Sequence, residues 1–222
     1  LLLSDPSGLL ISETPSTMLS ADVSYGSIED GMGDAGVTFI ESSPGVSNSK
    51  GTIEPISDVI HYSVVGGFYE NGFGLELDSE EGAEIRYTTD GSEPKVGSNI
   101  YSSEIAIQDR QGEEDVISLI NTGFRWEAPE EMVEKATVIK AASFVQGFRI
   151  SPVFTETYFV SDRIDRRYEG VPVISLSIDE DSLFSSERGI YVAGEGLESS
   201  EQANYYQKGP EWERRMHFEF FD

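Results

Sequence analysis

The chain has 222 residues, more than one typical domain, which predicts two or three compact units. Acidic residues outnumber basic ones 41 to 15 and the formal net charge is −26, which argues against binding to nucleic acid or to an anionic membrane, because both need clustered lysine and arginine. The absence of cysteine excludes disulfides, thiolate metal sites and cysteine nucleophiles.

The start of the chain carries no targeting signal that we can identify. Three leucines stand at 1–3, a run far too short for the core of a signal peptide, and no basic region precedes them. No stretch approaches the roughly 20 apolar residues of a membrane span, so we expect no membrane insertion. Since the chain begins without Met and stops abruptly after a strand-like segment, we expect it to be part of a longer polypeptide.

Residues 1–49 contain short strand-like runs separated by turns. The leucine-rich runs 1–3 and 9–11 flank a turn in which Pro6 presets φ and Gly8 accepts positive φ, so we predict a β-hairpin. Further strands are predicted at 21–26 and 37–40. Residues 50–62 follow as a predicted polar linker that ends in a strand.

Residues 63–160 show the clearest β pattern. Alternation of apolar and polar residues predicts strands at 74–78 and 83–89, and further strands are predicted at 104–107, 136–144 and 154–160. A strong turn is predicted at 89–94, because Asp90 accepts backbone hydrogen bonds and Gly91 tolerates unusual dihedral angles. Short strands punctuated by turns indicate a β-sandwich.

An insertion near residues 109–135 interrupts the sandwich pattern. Residues 116–120 fit either a strand or a helical turn. Residues 128–135 fit a short helix, with Pro129 in its first turn and acidic residues near its start.

After a charged boundary at 161–170, residues 171–222 open a new unit. We predict strands at 172–178, 189–192 and 217–221 and a helical turn at 179–184. About 50 residues is thin for an independent core, so this unit should lean on its neighbour or on further chain. The predicted fold class is all-β: immunoglobulin-like β-sandwich modules followed by an incomplete α+β segment.

Three motifs in 63–160 resemble a known family. Gly-Phe-Tyr at 67–69, Thr-Asp-Gly-Ser-Glu-Pro at 89–94 and Thr-Val-Ile-Lys-Ala at 137–141 are similar to the chitobiase/β-hexosaminidase carboxy-terminal and fibronectin-type-III-associated modules. The resemblance implies a β-sandwich, from which the insertion near 109–135 departs.

Residues 171–222 resemble the beginning of the spore-coat kinase (CotH) family. The similarity rests on Val-Pro-Val-Ile-Ser-Leu at 171–176, Gly-Ile-Tyr-Val at 189–192, and Glu-Trp-Glu-Arg-Arg at 211–215 before the strand 217–221. That family is an atypical protein kinase, for which ATP and magnesium are implied, but its catalytic and nucleotide-binding residues lie downstream of this segment. We therefore assign no catalytic, cofactor-binding or metal-binding residue and expect no cofactor in this chain.

The first 49 residues resemble the back half of a lamin-tail module, through Leu-Ser-Asp-Pro-Ser-Gly at 3–8, Ala-Asp-Val-Ser-Tyr-Gly at 21–26 and Pro-Gly-Val-Ser-Asn at 44–48. This order of modules resembles that of bacterial surface proteins whose sandwich domains precede a kinase-like domain. The resemblance implies an extracellular or cell-surface location.

Several acidic clusters and both histidines are candidate site residues. Glu29, Asp30 and Asp34 could offer oxygen ligands to calcium, but their spacing does not fit an EF-hand, and a solvated turn is favoured. The acidic run 179–181 is better explained as a helix N-terminus. His61 and His217 stand far from any nucleophile pattern.

One glycine pattern and two groups of aromatic residues are further candidates, and each also has a purely structural explanation. Gly194-Glu195-Gly196 lacks the downstream Gly and Lys of a phosphate loop, and is predicted as an ordinary loop. Tyr69, Phe73 and Trp126 are candidates to stack on sugar rings if exposed. The alternative for Tyr69 and Phe73 is that they pack inside the sandwich, whereas Trp126 lies in the insertion. Alternation places Trp212 and Arg214 on one face, where a packing contact is favoured.

Three functions are compatible with the sequence. The leading hypothesis is a non-catalytic scaffold or spacer in an exported bacterial protein, partnered by neighbouring domains of the same chain. A carbohydrate-associated binding module, with a cell-wall or environmental glycan as partner, is the second. Protein kinase activity is the third, and would belong to the full-length parent only.

Overall fold

A computed structural model describes residues 2–13, 24–27, 37–39, 45–47, 53–54, 58–145, 147–163, 168, 170–195 and 202–222. These residues form mostly β-strands in several sheets, and the helical segments among them are short. The all-β prediction is confirmed. None of the helices in the described ranges is long and apolar enough to cross a membrane.

The first strands form a hairpin and a small sheet. β1 (Leu2–Ser4) pairs antiparallel with β2 (Leu10–Glu13), which confirms the predicted hairpin. The carboxylate of Asp5 accepts hydrogen bonds from the amides of Ser7 and Leu9 at 2.8 and 2.9 Å, and Gly8 has a φ of 86°.

A second sheet follows, in the order β3 (Ser24–Gly26), β4 (Val37–Phe39) and β5 (Ile53–Glu54). Strands were predicted at both of the first two positions. The bend that carries Glu29, Asp30 and Asp34 lies outside the described residues.

The main sheet of the sandwich contains six strands in the order β11-β10-β13-β15-β7, with β14 added beside β13. Its pairs are antiparallel except for β15 and β7, which run parallel. The bounds are β7 (Gly67–Tyr69), β10 (Glu84–Thr88), β11 (Asn99–Ile100), β13 (Thr137–Val145), β14 (Phe148–Arg149) and β15 (Phe154–Val160).

Two short strand pairs lie against this sheet: β6 (Ile60–Tyr62) with β9 (Leu77–Ser79), and β8 (Phe73–Leu75) with β12 (Ile105–Ile107). The predicted single strand 74–78 is therefore divided at Glu76, where the chain changes partners. The alternation itself is confirmed, since Leu75 and Leu77 are buried and their acidic neighbours are exposed. The buried core contains Ile60, Leu75, Leu77, Ile85, Ile105, Ile107, Ile139, Ala141, Tyr158 and Val160.

The turn at 89–94 has the predicted chemistry. The carboxylate of Asp90 accepts hydrogen bonds from the amide and hydroxyl of Ser92, at 3.0 and 2.6 Å. Gly91 has a φ of 81°, in the left-handed region that side chains disfavour. The turn ends β10 before the chain continues to β11.

The insertion contains a 3₁₀ turn at Ile117–Leu119, and the predicted helix at 128–135 is wrong. The side-chain amide of Gln111 both donates to the carbonyl of Lys135, at 2.9 Å, and accepts from its amide, at 3.2 Å. Asp115 accepts from the ammonium group of Lys135 at 2.7 Å. These bonds use the backbone groups that a helix needs internally, and they hold the segment in a non-helical conformation.

The C-terminal segment contains a two-stranded antiparallel sheet of β16 (Val173–Ser177) and β17 (His217–Phe221), both predicted, which we call the C-terminal sheet. A short helix α1 (Glu180–Phe184) lies at the predicted helical turn. The predicted strand at 189–192 is wrong. Ile190 and Tyr191 donate their amides to the carbonyls of Ser182 and Leu183, at 3.0 and 2.9 Å, so this stretch folds back onto the helix as a turn. Further 3₁₀ turns lie at Asn204–Tyr206 and Pro210–Trp212.

Candidate functional site

Tyr69 and Phe73 pack against the core of the sandwich. Their ring centroids are 4.8 Å apart, and Phe73 makes an edge contact with the fully buried Tyr158 at 5.5 Å. The hydroxyl of Tyr69 donates to the carbonyl of Val65 at 2.6 Å. Both side chains are half-buried, and stacking on a sugar ring stays a prediction for them.

Trp126, the third stacking candidate, lies elsewhere, in the insertion. It is half-buried and lines two cavities of about 410 and 500 Å³, which Phe184 of the C-terminal segment also lines. Its ligand role likewise stays a prediction. The cavities beside Trp126 do not include Tyr69 or Phe73 among their lining residues.

The two histidines lie near acids in different parts of the fold, and the charge of His217 acts on Glu156. His61 is exposed and lies 2.8 Å from Glu80, and His217 is half-buried on β17. Within the described ranges, no group of three or more histidine, aspartate or glutamate side chains could hold a metal ion. Asp179 stands at the N-cap of α1 without a side-chain capping bond. Gly194 packs beside the side chain of Asn204, as expected for an ordinary loop.

Specific hydrogen bonds and ring contacts form a junction where the C-terminal sheet packs against the sandwich. The carboxylate of Glu219 on β17 accepts hydrogen bonds from the amide of Thr157, at 2.9 Å, and from its hydroxyl. That hydroxyl also lies 2.9 Å from the hydroxyl of Ser175 on β16. Thr157 immediately precedes the stretch of β15 that pairs with β7. Glu219 therefore satisfies a buried backbone donor at the point where the sheet lacks a strand.

An aromatic cluster reinforces the junction. Phe68 and Phe159, paired across β7 and β15, stack with a centroid distance of 4.9 Å. Phe221 of β17 makes edge contacts with both rings, at 5.7 and 5.6 Å. Tyr168 adds a tilted contact to Phe68 at 5.9 Å. Aromatic pairs of this kind add about 0.5–1.5 kcal/mol each beyond the area that they bury.

The junction brings two carboxylates close together beside Gly66. A Cβ at Gly66 would lie 2.7 Å from a Glu156 oxygen, 3.1 Å from a Glu219 oxygen and 2.9 Å from the carbonyl of Thr157, so only glycine fits there. Burial raises the pKa of Glu156, and the charge of Glu219 raises it further against the opposing hydrogen bond from Gly66. Burial also raises the pKa of the nearby Tyr158 hydroxyl.

The face of the C-terminal sheet that points away from the sandwich is apolar and exposed. Ile174 pairs with Phe220 and Leu176 with Phe218, and each of the four side chains is more than half exposed (54–57%). We call these four residues the outer face. Contiguous exposed apolar residues of this kind mark interaction surfaces in soluble proteins.

A mixed-charge cleft of about 980 Å³ lies beside the junction, between the sandwich and the C-terminal segment. Its cations are Lys95, Lys140, Arg149, Arg188, Arg214 and Arg215, and its acids are Glu93, Asp179, Asp181, Glu211 and Glu213. Most of the donors of Arg214 are used by backbone carbonyls, and its guanidinium lies 5.5 Å from the Trp212 ring. The predicted proximity of Trp212 and Arg214 is confirmed.

Lys140 is the unusual residue of this cleft. It lies in the middle of β13 and is only 3% exposed. Among the described residues, no carboxylate lies within ion-pair distance of its ammonium group and no hydrogen bond to that group is found. Burial lowers the pKa of Lys140, while the charges of Glu93, Asp179 and Asp90 oppose that effect from a greater distance.

Comparison with known proteins gives one family match. Residues 75–158 match the family model described as Fn3 associated. The match supports a fibronectin-III-associated module. It runs from the end of β8 to within β15 and so covers most of the main sheet. No curated protein matches the chain, and no solved structure matches it.

The match supports the fibronectin-type-III-associated part of the resemblance and suggests a non-catalytic β-rich module, while the chitobiase/β-hexosaminidase part stays a prediction. The bounds of the modules, the lamin-tail resemblance and the spore-coat kinase resemblance stay predictions. Sequence reasoning did not single out Glu219 or Lys140 as site residues. The available signals were a glutamate in the otherwise aromatic strand His-Phe-Glu-Phe-Phe at 217–221, and a lysine in the middle of the apolar strand 137–145.

Proposed function

We propose that the chain is a non-catalytic β-sandwich scaffold of an exported bacterial protein, and that it holds a following domain of the same polypeptide in a fixed orientation. The observation that carries this proposal is the contrast between the two faces of the C-terminal sheet formed by β16 and β17. Its inner face is bonded to the sandwich through Glu219 and Phe221, and its outer face is uncovered.

Burial in the C-terminal segment supports a further domain as the occupant of the outer face. Among the described residues of 171–222, the buried apolar side chains are Val192 and Ala203, whereas the large apolar side chains that remain exposed include all four residues of the outer face. A segment with so little core of its own depends on its neighbours for stability. The resemblance of 171–222 to the start of the spore-coat kinase family supports a kinase-like domain in that place, with activity confined to the parent.

Hydrogen exchange on two neighbouring variants tests the scaffold. Phe221→Ala removes a half-buried ring that contacts both Phe68 and Phe159, and should speed the exchange of β16 and β17 amides by about tenfold or more, because loss of these ring contacts weakens docking by more than about 1.4 kcal/mol. Phe220→Ala, on the outer face, should leave those amides unchanged. The amides of β10 and β13 should keep their protection in both variants, since the sandwich core is intact.

Two results would contradict the proposal. If the β16 and β17 amides exchange in the unaltered chain as rapidly as those of an unstructured segment, the C-terminal sheet is too flexible to hold a following domain in a fixed orientation. If light scattering shows a dimer that Phe218→Ser and Phe220→Ser convert to a monomer, a second copy covers the outer face instead of a following domain.

A further inference from the structure

A small cavity adjoins the mixed-charge cleft and has a different balance of charge. It measures about 300 Å³ and shares Glu93, Lys140, Arg149 and Arg215 with the larger cleft. Lys140, Arg149, Arg215 and His217 line it, and the carboxylate among its lining residues is Glu93. Glu93 lies 3.5 Å from Arg149, so it is already engaged with one of these cations. In a chain with 41 acidic and 15 basic residues, this is a local reversal of charge.

Lys140 gives this cavity a buried positive charge with no direct partner among the described residues. Its cross-strand neighbours are Thr88 and Thr155, both of which are buried and neutral. An ammonium group is expensive to bury unless an anion or several acceptors compensate it. Asp90, Glu93 and Asp179 act on Lys140 only through space. An anion from solution beside Lys140 would supply the direct partner that these carboxylates do not.

The remaining walls suit a small oxyanion. Arg215 enters from the C-terminal segment, and guanidinium groups bind carboxylate and phosphate through paired hydrogen bonds. Arg149, on the sandwich side, already pairs with Glu93. Pro152, Val153 and Met216 supply an apolar rim. The volume lies at the lower end of the range for small-molecule sites, which is roughly 300–1,000 Å³. The four further acids of the larger cleft do not line the small cavity, although the two cavities share their cations.

We propose that Lys140 and Arg215 form a binding site for a small oxyanion, the carboxylate, sulfate or phosphate group of a ligand, at the boundary between the sandwich and the C-terminal segment. Because the site takes residues from both units, a bound anion would also tie them together. This inference is independent of the scaffold role and of any activity in a longer polypeptide.

Calorimetric titration tests the site with three probes: inorganic phosphate, sulfate and glucuronate, each at constant ionic strength against chloride. We expect saturable binding of at least one probe with a dissociation constant of about 1 mM or tighter. Lys140→Met should weaken that binding by at least about tenfold. Lys95→Met, which removes an exposed cation of the larger cleft, should leave it unchanged.

The identity of the best probe separates the possible sources. Tightest binding of glucuronate would indicate an acidic saccharide, and tightest binding of phosphate or sulfate would indicate a ligand that carries that ester. If Lys140→Met fails to fold, the exposed Arg215→Gln replaces it and should weaken binding by about threefold or more. The proposal is overturned if none of the three probes saturates, or if Lys95→Met weakens binding as much as the variant at the site.

Discussion

Asp58 lies two residues before β6, the first strand of the sandwich, and its hydrogen bonds hold the chain in place there. It is 1% exposed, and its carboxylate accepts hydrogen bonds from the Ser79 hydroxyl at 2.7 Å and the Glu81 amide at 2.9 Å. Burial alone would raise its pKa, but the hydrogen bonds outweigh burial and hold the pKa below its usual value. The ionised form is therefore the one that stabilises the fold.

Replacing Asp58 tests this interpretation. Asp58→Ala should lower the free energy of unfolding at pH 7 by about 1–3 kcal/mol, because the Glu81 amide and Ser79 hydroxyl lose their buried acceptor. Asp78→Ala, at an exposed position of β9 next to Ser79, should change the free energy of unfolding by less than about 0.5 kcal/mol. Urea unfolding measures both.

The pH dependence of the same pair of proteins has a definite sign. A depressed carboxyl pKa contributes stability above the unfolded pKa, and that contribution is lost as the pH falls through the folded pKa. The difference between the unaltered chain and Asp58→Ala should therefore shrink in acid. A difference that grows on acidification would contradict the assignment.

At the level of strands, the junction between β15 and β17 should make stability depend on pH in the sense opposite to that of Asp58. The pKa of Glu156 is raised by burial first and by Glu219 second, while the Gly66 amide and His217 act against the rise. A raised carboxyl pKa means that the stabilising contribution is complete below the unfolded pKa and is lost as the pH rises through the folded pKa. Ionised Glu156 and Glu219 together oppose docking.

Glu156→Gln removes this titration. We expect the variant to gain stability relative to the unaltered chain as the pH rises from about 5 to 8, since the amide never becomes charged beside Glu219. Unfolding in urea at several pH values measures the difference between the two proteins. Glu76→Gln, an exposed substitution between β8 and β9, should show no such trend. A flat difference for Glu156→Gln would mean that its titration does not affect stability.

The elements that sequence reasoning predicted correctly depend on nearby residues. The hairpin β1–β2 and the turn after β10 follow from Asp5 and Asp90, each of which bonds to residues within four positions. The strands 137–145 and 154–160 follow from their own composition. The wrong predictions involve more distant partners: Gln111 and Asp115 hold 133–135 out of a helix, from 18 to 24 positions away.

The candidate sites were less predictable because they join parts of the chain that are distant in sequence. Glu219 meets Thr157 across 62 positions, and no local pattern encodes that contact. Lys140 stands in the motif Thr-Val-Ile-Lys-Ala that carries the resemblance, yet its burial and its neighbours emerge only when the C-terminal segment packs beside β13. A polar residue within an apolar strand is the signal that sequence alone could have supplied.

The molecule as a whole carries far more negative charge than its ion pairs neutralise. Of the ion pairs found in the described ranges, that of Lys135 with Asp115 has both side chains largely buried, at 12% and 11% exposure. Each of the others includes at least one side chain that is 36% exposed or more, and such pairs are worth about 0–1 kcal/mol. Repulsion within the net charge of −26 should therefore outweigh attraction between specific pairs.

Salt should for this reason stabilise the chain. Raising sodium chloride from about 10 to 200 mM shortens the screening length from about 30 Å to less than 10 Å, which weakens long-range repulsion more than contacts within pairs. We expect the melting temperature to rise by about 2–4 °C, equivalent to about 1 kcal/mol for a chain of this size. Tetramethylammonium chloride should give the same rise, because screening does not depend on the cation. A melting temperature that falls with salt would show that the ion pairs dominate, and a rise with sodium alone would indicate a specific cation site in place of screening.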